Sequence, residues 1–282
     1  MVSELLRCYA FLYSQYKGVR MRAKRDLSSV DLYHVVARGT GRQIIFEDDD
    51  DRKTFLRILR HALEESKSEL YAWCLMSNHV HLLVHAPIDR IALFMKDLCG
   101  TYAQYFNKKT GRTGHLFQER YKSEAIDSDD YLMAVIRYIH NNPVKSGMAT
   151  VDSYAWSSYS EYVGAPILCS TGFVSSLFSG VDDFAQFHAA TPENETILDI
   201  PHSRTRTRAM PDALALKRAR LAIGAQRLAS IKELLPQERD EAILALRAAG
   251  LSIRQTERLT GIGRGSIERV WRNAVRDDAE NQ

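Results

Sequence analysis

The sequence predicts an α+β fold: a ferredoxin-like antiparallel sheet with helices on one face, followed by an all-α C-terminal region. Three observations carry this. Short apolar runs and long amphipathic stretches succeed one another in the order βαββαβ between residues 31 and 126. From residue 212 to 276 the pattern is helical throughout. The composition is globular, 45% hydrophobic and 26% charged over 282 residues, enough chain for one large domain or two smaller ones.

The elements follow in order. "DLYHVVAR" (31–38) alternates polar and apolar residues and reads as a strand. "EDDDDRKTFLRILRHALEES" spaces Phe55, Leu56, Leu59 and Leu63 for one helical face, with its acids at the end that the helix dipole favours. "ELYAWCLM" and "HVHLLVHA" are two apolar runs split by "SN", a strand, tight turn and strand. Ile91, Phe94, Met95, Leu98, Tyr102 and Phe106 then form a helical stripe that "GRTG" breaks, and "RYKSEAI" reads as the fourth strand. Asp127 or Ser128 caps the helix "DDYLMAVIRYIHNN", which Pro143 stops. "YAWSSYSEYVG" reads as an aromatic wrap packed back onto the sheet domain.

This divides the chain into an N-terminal extension (1–27), a main domain (28–164), an irregular linker (165–211) ending in "HSRTRTRAMPD", and a helical region (212–276). Within the last, residues 238–276 have helix-turn-helix spacing: a helix ending at Gly250, a short helix after the cap Ser252, the turn "GIG", and a helix from Arg264. Ile243, Leu246, Leu251, Ile253, Leu259, Ile262, Ile267, Val270 and Trp271 supply a small core. Three-helix units also serve as plain interaction modules, but Arg264, Arg269, Arg272 and Arg276 on the last helix favour DNA. In the family that the motifs below resemble, the chain usually begins near "MRAKRDL", which makes Met21 an alternative initiator to Met1.

The net charge of +3 is unevenly spread. Residues 201–276 hold sixteen Lys and Arg against seven Asp and Glu, whereas residues 1–200 are slightly acidic. A basic C-terminal segment implies an anionic partner, most often nucleic acid, or else a solvated arginine-rich helical face. No apolar run reaches the roughly 18–20 residues of a membrane span. The four cysteines, Cys8, Cys74, Cys99 and Cys169, lie far apart without a CxxC pair, as in a reduced cytoplasmic protein.

Two stretches carry chemistry. In "NHVHLLV", His79 and His81 are i and i+2 on a strand and project from one face. Two such imidazoles can share a divalent cation, although an HxH strand pattern is more often core or surface. His85 lies on the same face near the strand's end, in a supporting position. In "RYIHNNPVKSG", Tyr138 and Asn142 are i and i+4 on a helix, so the amide oxygen and the phenol share a face. A phenol, with its pKa of about 10, becomes a competent nucleophile only where its target is polarised and phenolate is favoured. The alternative is a core tyrosine beside a helix-ending "NNP".

Together these motifs resemble the REP-associated tyrosine transposases, within the single-tyrosine HUH (IS200-like) transposases. The resemblance covers about residues 28–164, through "YHVVARGTGRQIIFEDDDDRKTFLRIL", "AWCLMSNHVHLLV", "FMKDLCGTYAQYFNKKTGRTGHLFQERYKS", "YIHNNPVKSG" and "AWSSYSEYVG". It implies the HUH nuclease fold, His79, His81 and Asn142 as ligands of Mg²⁺ or Mn²⁺, and Tyr138 as the nucleophile. The implied activity is nicking and strand transfer of single-stranded or hairpin DNA through a 5′-phosphotyrosine, by a monomer or a homodimer. DNA contacts are expected from Lys108, Lys109, Arg112, Arg120, Tyr121 and Lys122, with Phe117 and His115 beside them, and from Arg264, Arg269 and Arg272. These loop residues read equally as a solvated surface. Duplex DNA is a further partner for the C-terminal region, and the resemblance places the protein in the bacterial cytoplasm, near the nucleoid. Two other readings compete: a DNA-binding regulator descended from a transposase, and a metal-dependent hydrolase that uses water in place of Tyr138.

Overall fold

The computed structural model describes residues 27–118, 120–190 and 212–280; the extension up to residue 26, with Met21, and the linker residues 191–211 lie outside the described residues. Strands β1 (Leu32–Arg38), β2 (Glu69–Met76), β3 (His79–His85) and β4 (Lys122–Ala125) form one antiparallel sheet in the order β2-β3-β1-β4. The two-residue turn Ser77–Asn78 joins β2 to β3. Alternation along β1 sends Tyr33, Val35 and Ala37 to one core and Leu32 to the other.

Helices α1 (Asp49–Ser66) and α2 (Ile88–Thr110) cover the first face, as the βαββαβ order implies. Asp48 caps α1 by accepting from the Asp51 N–H at 3.0 Å, and Asp49, Asp50 and Asp51 fill its first turn. Phe55, Leu59 and Leu63 of α1 meet Phe94, Leu98 and Tyr102 of α2 on Val35, Leu75, Val80 and Leu82 of the sheet. Each large apolar side chain buried there contributes about 1.5–3 kcal/mol.

The opposite face carries α3 (Asp129–His140), capped by Ser128 rather than Asp127. Asp127 instead accepts from Ser29. Leu132, Val135, Ile136 and Ile139 of α3 pack on Leu32, Ala72, Cys74 and Leu83. The helix ends at Asn141, before the expected stop at Pro143. Asn142 opens a one-turn helix, α4 (Asn142–Lys145), and Pro143 sits in its first turn, where a missing N–H costs nothing.

The aromatic wrap behaves as expected. Leu75 N–H donates to Trp156 O and Ser158 N–H to Trp73 O, both at 2.9 Å, which lays the wrap along β2 before α5 (Tyr159–Val163). Buried Glu161 holds it, accepting from Trp73 Nε1 and from the N–H groups of Ile167, Leu168 and Cys169. Beyond residue 164 the expectation of irregular chain is corrected for the described part. Short helices α6 (Gly172–Ser175) and α7 (Val181–Ala189) place Val174 and Phe184 in the second core with Tyr159 and Tyr162. Their brevity and the glycine and serine around them hid the helical periodicity.

The C-terminal unit has five helices: α8 (Asp212–Ile223), α9 (Ala225–Ala229), α10 (Pro236–Ala248), α11 (Ile253–Thr260) and α12 (Arg264–Glu280). All the core residues expected there pack together, joined by Ala215, Leu216, Leu228 and Ile231. Ser252 and Gln255 form a reciprocal capping box at the start of α11. One side chain in this core, Ile44, comes from the loop between β1 and α1, and its N–H donates to Arg258 O at 2.8 Å. The two units approach closely at glycines: a Cβ on Gly41 would lie 3.0 Å from Gly261 O, and one on Gly261 would lie 3.0 Å from Gln43 Oε1. Among the described residues no helix is long and apolar enough to cross a membrane.

Candidate active site

Register determines the site. His81 lies opposite Cys74 on one neighbouring strand and Val36 on the other, and His79 opposite Met76 and Arg38. Both histidines are buried on the α3 face, with ring centroids 4.9 Å apart. From α3, Tyr138 points back at the sheet, its ring edge-on to His81 at 5.5 Å and to His34 at 6.0 Å. Lys145 of α4 lies over the Tyr138 ring, its Nζ 4.2 Å from the centroid. Asn142 is fully buried and donates through Nδ2 to Tyr138 O at 2.9 Å, and its Oδ1 has no hydrogen-bond partner among the described residues.

Each histidine has a neighbour at its inner ring nitrogen. Asn78 Nδ2 donates to Arg42 O at 3.0 Å, so Asn78 Oδ1 is an acceptor, and it meets His79 Nδ1 at 2.7 Å. This assigns the proton of His79 to Nδ1 and its lone pair to Nε2. His81 Nδ1 lies 3.0 Å from His34 Nε2, with the two rings stacked. His34 is fully buried on β1, and burial lowers its pKa, partly countered by Glu124 of β4, whose Oε2 is 3.9 Å from His34 Nδ1. His34 and Glu124 were not singled out from the sequence. The signal was there: alternation in "DLYHVVAR" puts His34 on the His81 face once β1 pairs with β3.

The end of α3 is tied down beside the site. His140 contacts His188 Nε2 through Nδ1 at 2.9 Å and Ser158 Oγ through Nε2 at 2.8 Å. Burial, reinforced by His188, pushes the His140 pKa well down, and burial brings His188 to about 4. His85 stands apart, half-exposed and stacked on Tyr71 at 5.7 Å.

Among the described residues no group of three or more His, Cys, Asp and Glu side chains is placed to hold a metal ion. The donors that suit one are two imidazoles plus a neutral amide oxygen, and the buried, unpartnered Asn142 Oδ1 fits that set. The described cysteines, Cys74, Cys99 and Cys169, are free thiols.

The DNA contacts expected from the α2–β4 segment divide. Lys108, Arg120 and His115 are exposed, and Lys122 pairs with Val36 at the edge of the sheet, on the His34 and Glu124 face. Lys109 is instead committed to Asp48 and Asp51, at 2.6 Å each. Arg112 donates to Gln43 Oε1 in the contact with the C-terminal unit, and its burial lowers its pKa. Phe117 and Tyr121 are half-buried and pack against the core of the other face. On α12, Arg269 and Arg272 are exposed, Arg264 is exposed but paired with Glu268 at 2.6 Å, and the Arg276 side chain lies outside the described residues.

The sheet thus presents a pair of histidines to a tyrosine borne on α3. Residues 29–142 match the family described as "Transposase IS200 like". Two solved structures are similar. One is a REP-associated tyrosine transposase bound to a REP hairpin: 20% identity over 54% of this chain and 96% of that one, TM-score 0.39. The other is a candidate transposase from Deinococcus radiodurans: 24% identity over 43% of this chain and 97% of that one, TM-score 0.31. No curated protein matches.

Proposed function

We propose that the protein nicks and rejoins single-stranded DNA at a hairpin, with Tyr138 as nucleophile. The observation that carries this is the burial of Tyr138, His81 and His79 on one covered face, with the Oδ1 of buried Asn142, one helical turn beyond Tyr138, lacking a hydrogen-bond partner among the described residues. Tyr138 Oη attacks a backbone phosphorus, forming a phosphotyrosine on the 5′ side. The P–O3′ bond breaks, and the proton leaving the phenol is matched by one taken up by the 3′ oxygen. A later 3′ hydroxyl reverses the step on a new strand, so no bond energy is lost. His79, His81 and Asn142 would hold Mg²⁺ or Mn²⁺, which when bound would polarise the scissile phosphate. Imidazole donors are softer than magnesium prefers, which favours manganese. Lys145 and Lys122 lie where a phosphate backbone entering this face would pass.

The test is incubation of labelled single-stranded hairpin DNA with Mn²⁺, followed by a denaturing gel. A covalent adduct that disappears in Tyr138→Phe supports the reading; an adduct that survives the substitution removes Tyr138 from the role.

A second reading, a DNA-binding regulator, is favoured by the exposed Arg269 and Arg272 on α12 and by the short turn, residues 261–263, between α11 and α12, which suits the expected helix-turn-helix. Tight, sequence-dependent duplex binding without any adduct would support it. On either reading the partner is DNA, and the bacterial cytoplasm is the matching compartment.

A further inference from the structure

The geometry points to His34 as a positioning residue that sets the tautomer of His81 and so presents His81 Nε2, carrying the lone pair, to a metal ion. This rests on the proposed role of His79 and His81 and deepens it.

Three placements support it. His34 Nε2 and His81 Nδ1 are 3.0 Å apart, so one donates and the other accepts. Glu124 Oε2 lies 3.9 Å from the other nitrogen, His34 Nδ1. A carboxylate on that side favours the proton on Nδ1 of His34, which leaves His34 Nε2 as the acceptor. The shared proton then belongs to His81 Nδ1. Finally, the stack of the two rings, centroids 5.2 Å apart and 20° from parallel, holds the His81 plane fixed between β1 and α3. His79 reaches the same tautomer by the separate route of Asn78 and the Arg42 carbonyl. Both imidazoles therefore present the same nitrogen, each through its own partner, and such outer partners are worth roughly 10–100-fold in metal affinity. His34 touches neither DNA nor the reacting phosphorus in this scheme; it acts through His81.

The experiment uses the full chain without DNA and Mn²⁺ as the probe. Binding is followed by the electron paramagnetic resonance signal of unbound Mn²⁺, and the His81 tautomer by long-range ¹H–¹⁵N correlation in the metal-free protein. His34→Leu removes the acceptor. His34→Gln keeps an acceptor oxygen near the place of Nε2. The expected result is an affinity loss of about 10–100-fold for Leu, largely restored by Gln, with wild-type His81 protonated on Nδ1. Equal affinity in wild type and His34→Leu overturns the inference, as does an equal loss in Leu and Gln. The wild-type tautomer needs no variant to fold, and a proton found on His81 Nε2 also overturns it. His81→Ala separates the two readings. If it leaves Mn²⁺ binding intact, the metal site itself is wrongly assigned; if it abolishes binding while His34→Leu has no effect, only the role of His34 fails.

Discussion

Tyr138 and His81 meet edge to face across the gap between α3 and β3, with ring centroids 5.5 Å apart. Neither residue is near the other in sequence, and the covering of the second sheet face brings them together. Tyr138→Phe keeps the ring and its packing and removes only the oxygen. We expect hairpin affinity to be unchanged and the covalent adduct to vanish. A gel-shift titration beside the denaturing gel checks both halves.

Lys122 and Lys109 are both basic residues near the α2–β4 loop, yet they should behave oppositely. Lys122 is exposed on the site face. Lys122→Ala should weaken DNA binding and reduce the slope of log affinity against log salt by about 1. Lys109 is paired with buried Asp51 and with Asp48. Lys109→Ala should leave the salt slope alone and cost about 1–2 kcal/mol of stability. Salt-titrated binding isotherms and denaturant melts distinguish the pair, and a slope change in Lys109→Ala would contradict the assignment.

The tether at the end of α3 should make stability sensitive to acid. Burial brings the His188 pKa to about 4, below the ordinary value of 6.5. The unfolded chain then binds the proton more readily than the folded one. This contribution is complete above pH 6.5 and is lost as pH falls from 6.5 towards 4, at about 1.4 kcal/mol for each pH unit, or about 3 kcal/mol in all. His188→Gln should flatten that part of the profile. Denaturant melts at intervals from pH 7 to pH 4.5 measure it, and identical profiles for both proteins would remove His188 as the cause.

Gly261 has φ of 66°, and a Cβ there would meet Lys232 Nζ and Gln43 Oε1. Gly261→Ala should cost about 1–2 kcal/mol from the left-handed backbone, with Lys232 swinging aside. A fall of a few degrees in the melting midpoint is expected. An unchanged midpoint would mean that the left-handed backbone at the end of α11 is not maintained in solution.

Much of this was legible in the sequence. Apolar periodicity marked β1, β2, β3 and the long helices, because each buries a continuous face. His79 and His81 were legible because a strand's alternation alone puts them together. His34 was not, since a single polar residue in "YHVV" looks like any strand position until register sets it beside His81. The packing partners of Lys109, Arg112 and Phe117 were hidden for a related reason. Residue type suggested nucleic acid, and their partners Asp51, Gln43 and Tyr102 are far along the chain or on another element, where local pattern cannot reach. Helices α6 and α7 were missed because four to nine residues do not establish a period.

Ile44 lies in the chain between β1 and α1, but its side chain is buried among the C-terminal helices. That placement bears on modularity. A C-terminal unit joined only by its linker could be lost or exchanged in one genetic event without harm to the sheet domain. Here such a loss would bare an isoleucine and leave its N–H without the Arg258 carbonyl, beside the turn whose Arg42 carbonyl orients Asn78. The two units are therefore expected to melt in a single transition and to be inherited together.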